Sequence, residues 1–122
     1  MNPEVKVMDD VTVLTPIGKL LGGVETEDFE QKVIELNESG NRKLLINLGK
    51  TTFMTSIALA VLFLAYVKYT NRGARVKLCG VNRQIQQIFA IVKLSLIYGP
   101  NIHDTEEDAL ASFRTMPATL DR

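Results

Sequence analysis

Lys43-Leu44-Leu45-Ile46-Asn47-Leu48-Gly49-Lys50-Thr51-Thr52-Phe53-Met54-Thr55-Ser56-Ile57-Ala58-Leu59-Ala60-Val61-Leu62 is the stretch on which the fold turns. Its first six residues form a nearly continuous apolar run between Gly40 and Gly49, the pattern of a central strand buried on both faces. Residues 49–55 read as a threonine-rich loop. Thr55 or Ser56 then suits the N-cap of an apolar helix from Ile57 to about Tyr69, closed by Asn71-Arg72-Gly73. A buried strand that feeds a helix in this way is the unit from which α/β domains are built.

Working outward, Glu4 to Asp9 alternates weakly and Val11 to Ile17 alternates well, so two early strands form a hairpin about Asp9-Asp10. Val24, Phe29, Val33, Ile34 and Leu36 recur at a helical period, and the helix they imply starts near Glu25 and stops at Ser39-Gly40. Arg75 to Cys79 alternates as a further strand. A third helix is expected from Asn82 to about Val92, with Ile85, Ile88, Phe89 and Val92 on one stripe. Leu94 to Tyr98 is a short apolar piece placed where a last strand would fall, before the breaker Gly99-Pro100. Thr105 opens a terminal helix through Phe113, with Glu106, Glu107 and Asp108 in its first turn. Residues 116–122 read as a loose tail. The expected fold is one small α/β domain over residues 1–122, with its core at about 11–113, a mixed sheet and about four helices.

The 122 residues carry 14 Lys+Arg and 14 Asp+Glu, and 46% are hydrophobic. That apolar fraction excludes a disordered chain, and the zero balance gives no support to binding nucleic acid through phosphate contacts. Cys79 is the sole cysteine, so neither an internal disulfide nor a cysteine metal site is expected, and a reducing cytoplasm is the natural compartment. Met1 to Asp10 is polar and alternating, unlike a cleavable leader. The most apolar stretch, Ile57 to Val67, has 11 residues, short of the roughly 20 that span a bilayer.

Enzyme signatures are scarce. His103 has no paired nucleophile and reads as a turn residue beside Asp104; Cys79, at a strand end, reads as a small core residue. Gly49-Lys50-Thr51 is similar to the end of a phosphate-binding P-loop, but that motif needs a glycine where Leu44 stands inside the strand. No cofactor or metal is expected. The helix after Thr55 is apolar all round, so either neighbouring helices cover its outer face or it offers an interaction surface.

From about Val11 to Phe113 the chain resembles the STAS domain, the fold of bacterial anti-sigma factor antagonists. The likeness is carried by Gly18-Lys19-Leu20, Leu44 to Leu48, Phe53 to Leu62, Asn71-Arg72-Gly73-Ala74, Leu78-Cys79-Gly80-Val81 and Thr105 to Leu110, in the family's order and spacing. The resemblance implies a non-enzymatic regulator that switches between partners. In that family a serine at a helix N-terminus is phosphorylated by an anti-sigma factor that is also a serine kinase, and the phosphorylated form lets the kinase go. A dianion at a protein contact costs desolvation, while the helix dipole tolerates it. Here the family's aspartate, first serine, phosphorylated serine and glycine align with Thr55, Ser56, Ile57 and Ala58. Isoleucine cannot accept a phosphate. Two further family acids are replaced, by Leu21 and Asn47.

The resemblance therefore places partner contacts at Lys50, Thr51, Thr52, Met54, Thr55, Ser56, Ile57 and Ala58, with an anti-sigma factor/serine kinase as partner and a phosphatase as a further candidate. Two alternatives stay open: an acceptor shifted to Ser56 or Thr55, and a loop that binds a small anion or nucleotide through Lys50, the threonine hydroxyls and a helix N-terminus. Direct nucleic-acid or membrane binding is not expected, and homodimerisation is left open. Finally, the zero charge hides three blocks. Residues 1–38 carry nine acids against three bases, residues 39–103 carry nine bases and no acid, and the remainder carries five acids and two bases. Unless folding interleaves these blocks, the partner should be acidic and its binding weakened by salt.

Overall fold

A computed structural model describes residues 2–115; the tail expected at 116–122 lies outside them. Strands β1 (Glu4–Met8) and β2 (Val11–Thr15) pair antiparallel across a two-residue turn, in which Asp9 takes a left-handed conformation. Next come β3 (Gly18–Leu20), α1 (Val24–Glu38), β4 (Lys43–Asn47), β5 (Thr51–Met54), α2 (Ser56–Asn71), β6 (Arg75–Cys79), α3 (Arg83–Ile91), α4 (Leu94–Tyr98), β7 (Ile102–His103) and α5 (Glu106–Thr115). The main sheet has the order β1-β2-β4-β6-β7, parallel from β2 onward.

The apolar run of β4 is explained by two covered faces. Leu44 and Ile46 join Leu14, Val76 and Leu78 in the core beneath α1 to α4, whereas Leu45 turns the other way, to Val11, Val13 and Cys79 beneath α5. Tyr98 is fully buried under α2, donating its hydroxyl to the Leu62 carbonyl at 2.6 Å, with its ring edge-on to Tyr66. Two N-caps fall where the sequence puts them: Asn82 Oδ1 accepts from the Ile85 amide, and Thr105 Oγ1 from the Asp108 amide.

Three expectations are corrected. The threonine-rich loop contains β5, which pairs in parallel with β3 as a separate two-stranded sheet. Its β-branched Thr51 and Thr52 suit a strand as well as a loop, and the partner strand lies more than thirty residues away. Leu94–Tyr98 is a helical turn, not a strand. Leu94 and Tyr98, four residues apart, both face the core, and the last strand is instead the two-residue β7. The apolar piece thus adds a fifth helix. Third, His103, expected in a turn, lies in β7 paired with Cys79 of β6, where the neighbouring Lys77 is only 3% exposed. Its ammonium donates to Asn101 Oδ1 at 3.2 Å and lies 5.2 Å from the Phe113 ring centroid; burial, then the nearby Arg75, lower its pKa.

Candidate functional site

The β4–β5–α2 segment is held at the carboxyl ends of the parallel strands, where open α/β sheets place their binding sites. Leu48 donates its amide to the Cys79 carbonyl, and the connection then passes so close to Gly80 that a Cβ there would lie 2.8 Å from the Gly49 nitrogen. β5 is fixed from three sides. The Gly18 amide bonds to the Lys50 carbonyl, the Thr51 hydroxyl donates to the Pro16 carbonyl, and the Asn82 amide reaches the Thr51 and Thr52 carbonyls. Thr55 completes the frame: its amide and hydroxyl both donate to the Leu20 carbonyl, and its own carbonyl accepts from Leu59.

Thr55 is the N-cap of α2, but no side chain caps the helix. Its hydroxyl points back to β3 instead. Ser56, the first helical residue, is exposed, and the first turn carries no acid. The structure thus leaves the N-terminal amides of α2 unneutralised beside an outward hydroxyl. Ile57 is 59% exposed and lies over the β3–α1 turn, where a Cβ on Gly22 would come within 3.0 Å of its Cδ1. Gly22 has φ +100, so a side chain there would be both strained and crowded.

Of the eight expected contact residues, Lys50, Thr52, Ser56 and Ile57 are exposed and Thr55 is half-buried. Thr51, Met54 and Ala58 are buried, so they support the surface from below and are not contacts. Not among the expected contacts are three further exposed apolar residues, Phe53 in β5, Phe63 in α2 and Leu21 just after β3, the strand that pairs with β5. Only the all-round apolarity of the helix hinted at Phe63.

Lys50 does not stand free: its ammonium is 3.0 Å from a Glu4 carboxylate. Beside it a cleft of about 600 Å³ is lined by Glu4, Lys6, Asn47, Lys50 and Glu106 among others, and Lys6 is paired with Glu106 at 2.9 Å. Each lysine has a carboxylate partner, a balance that does not favour a free phosphate. Lys50 also leads into strand β5, not into a helix, so no P-loop forms. Among the described residues no group of histidine, cysteine or carboxylate side chains is arranged to hold a metal. Burial pushes the Cys79 thiol up to about 12, where it packs beneath α5 with Leu45, and burial and then Lys77 lower the His103 pKa.

Asn47 explains one of the lost acids. Its Oδ1 accepts from the Gly49 amide at 2.8 Å and its Nδ2 donates to Glu106 Oε1 at 2.9 Å, tying the loop to the start of α5. Glu106 is held below the usual carboxylate range by its Lys6 hydrogen bond first, and by Asn47 as well. An aspartate at 47 would set two carboxylates against each other. Asn47→Asp is therefore expected to destabilise the fold at pH 7 by about 1–3 kcal/mol. The sign also inverts: wild-type Glu106 contributes stability above its unfolded pKa and loses it as pH falls, whereas the variant pair, with a raised pKa, regains stability on acidification. Thermal melts at roughly pH 3 and 7, on either side of carboxylate titration, check both signs.

The family model for the STAS domain matches residues 2–109. Among solved structures, a candidate anti-sigma factor antagonist from Thermotoga maritima superimposes with a TM-score of 0.84 at 22% identity, covering 92% of this chain and 94% of that one. An anti-sigma factor antagonist from Mycobacterium paratuberculosis gives 0.82 at 20% identity, covering 93% of each chain. The Bacillus cell fate determinant SpoIIAA in its phosphorylated form gives 0.72 at 19% identity, covering 92% and 99%. No curated protein sequence matches significantly. Among the described residues no helix is long and apolar enough to cross a membrane. A match over nearly the whole length, on a fold of the same architecture, places this chain in the STAS domain family, whose members are non-catalytic regulatory domains.

Proposed function

We propose that this chain regulates an anti-sigma factor/serine kinase by binding it through the exposed part of the β4–β5–α2 segment, without phosphorylation at the family's acceptor position. The carrying observation is Ile57: an apolar side chain stands outward at the position of the acceptor serine, where burial against a partner is worth about 1.5–3 kcal/mol. Thr55 and Ser56 adjoin it as polar contacts, Lys50 and Thr52 extend the exposed surface back along β5, and Thr51, Met54 and Ala58 hold that surface in shape. Such a contact cannot be switched off by phosphate at residue 57, so its lifetime depends on partner concentration or on a second site. Mixing the chain with the anti-sigma factor kinase of its own cell, followed by size-exclusion chromatography, is expected to yield a complex. An inert, monodisperse monomer beside unshifted kinase overturns the reading.

One observation favours a second reading. Ser56 is exposed at an uncapped helix start, one residue from the acceptor position, with no acid nearby in the first turn to repel a phosphate. Phosphopeptide mass spectrometry after incubation with kinase and ATP separates the two. Under the primary reading no label appears on Ser56 or Thr55; stoichiometric label on Ser56 establishes the shifted switch.

A further inference from the structure

The outer face of α2 is not covered. Leu59, Ala60 and Phe63 form one wall, and Val92, Leu94 and Ile97 the other, of a groove of about 350 Å³ that runs from Ser56 along the helix. Phe63 is 49% exposed and Val92 45%, on the two ridges, while Leu59 and Leu94 are nearly buried at the bottom. Folding does interleave the charge blocks, but only elsewhere. Lys43 pairs with Asp10, Lys50 with Glu4, Lys6 with Glu106 and Arg114 with Asp9, all around the β1 end of the sheet and α5. The charged residues on α2, α3, α4 and the α3–α4 link are Lys68, Arg83 and Lys93, every one positive. Among the described residues none of these three has a carboxylate within ion-pair distance.

Resting on the partner-binding reading above, we propose that this groove seats a short amphipathic segment of the regulatory partner, with apolar side chains on one face and carboxylates along its flanks. A recessed floor between two apolar ridges fits inserted side chains of a helix or strand. Lys93, which stands between the lining residues Val92 and Leu94 and has no carboxylate partner, together with the lack of any acid on α2, α3 and α4, selects an acidic flank and disfavours a basic one. A second copy of the chain fits poorly, because a twofold contact through this face offers no carboxylate from α2, α3 or α4 to meet Lys93. The groove begins at Ser56, so it continues the contact centred on Ile57 along the helix.

The test uses the full chain, labelled with ¹⁵N, and two synthetic amphipathic helical peptides that share one leucine-phenylalanine face, one flanked by glutamates and the other by lysines. The glutamate peptide is expected to shift the amides of Ser56, Ala60, Phe63 and Leu94 saturably. Its affinity should fall about tenfold between roughly 50 and 300 mM salt. Phe63→Glu and Lys93→Gly should each weaken it, Phe63→Glu at least about tenfold. Lys93 has φ 64, so glycine there keeps the fold and gives a readout even if Phe63→Glu does not fold. Equal binding of the lysine peptide, shifts mapping outside the groove, concentration-dependent self-association through it, or displacement of the peptide by anionic lipid vesicles each overturn the proposal. Failure here is separable from failure of the underlying reading. If Ile57→Glu abolishes kinase binding and Phe63→Glu does not, the groove is wrong and the contact stands; if the kinase never binds, the contact reading falls.

Discussion

Ile57→Glu is expected to weaken binding of the anti-sigma factor kinase by about 100-fold, the effect of charging a central apolar contact. The same substitution should leave the fold intact. Ile57 is more than half exposed and its contact with Gly22 is small, so little core packing is lost. Glutamate would also be the only acid in a first turn that has none, where the helix dipole favours it by about 0.3–1 kcal/mol. Binding and stability therefore move in opposite directions, which separates a lost contact from a damaged protein. Calorimetric titration gives the first and a thermal melt the second. Unchanged affinity in a folded variant shows that the partner does not use this position.

The second large effect is on stability. Gly80→Ala is expected to cost about 2–5 kcal/mol, from left-handed strain of about 1–2 kcal/mol together with the overpacking of about 1–3 kcal/mol typical of an atom forced into a filled space. The backbone at Gly80 has φ +72, and the new Cβ would meet the Gly49 nitrogen at 2.8 Å, Asn47 Oδ1 at 2.9 Å and Gly49 Cα at 3.0 Å. Two of these three are backbone atoms, which cannot swing aside. For a chain of this size the melting temperature should fall by roughly 10–20 °C. The Asn47–Glu106 tie would loosen with it, because the displaced atoms include the Asn47 oxygen that accepts from Gly49. A melt within about 3 °C of wild type would mean that the approach of β6 to the loop is not what holds the segment in place.

These two residues mark how far the sequence can be read. Gly80 stands in a recognisable strand-end motif, and the two-faced apolarity of β4 and the caps at Asn82 and Thr105 are local signals that the structure repeats. The β3–β5 sheet is different: two strands of three and four residues take their identity from pairing across a long loop, and neither has enough periodicity to declare itself. Alternation in β6 reports polarity and not exposure: Lys77, with an amide oxygen and an aromatic ring for company, is covered.

At the candidate site, the alignment of Ile57 with the acceptor serine comes from the family resemblance, and its exposure is visible only in the fold. A helix apolar on every side does not say which side is left open; that depends on α1 standing on one flank and α3 with α4 on the other. The charge blocks behave likewise. Their existence is a count, but their pairing by Asp10, Glu4 and Glu106, and its absence around α2, follow only from which elements become neighbours.

If the segment around Ile57 binds the partner as proposed, phosphorylation at that position does not release it. Titration of the wild-type chain and of Ile57→Ser into the anti-sigma factor kinase, with and without ATP, addresses it directly. The wild-type complex is expected to survive ATP while the Ile57→Ser complex is labelled at residue 57 and dissociates; wild-type complex that is phosphorylated and released on adding ATP would overturn the proposed contact.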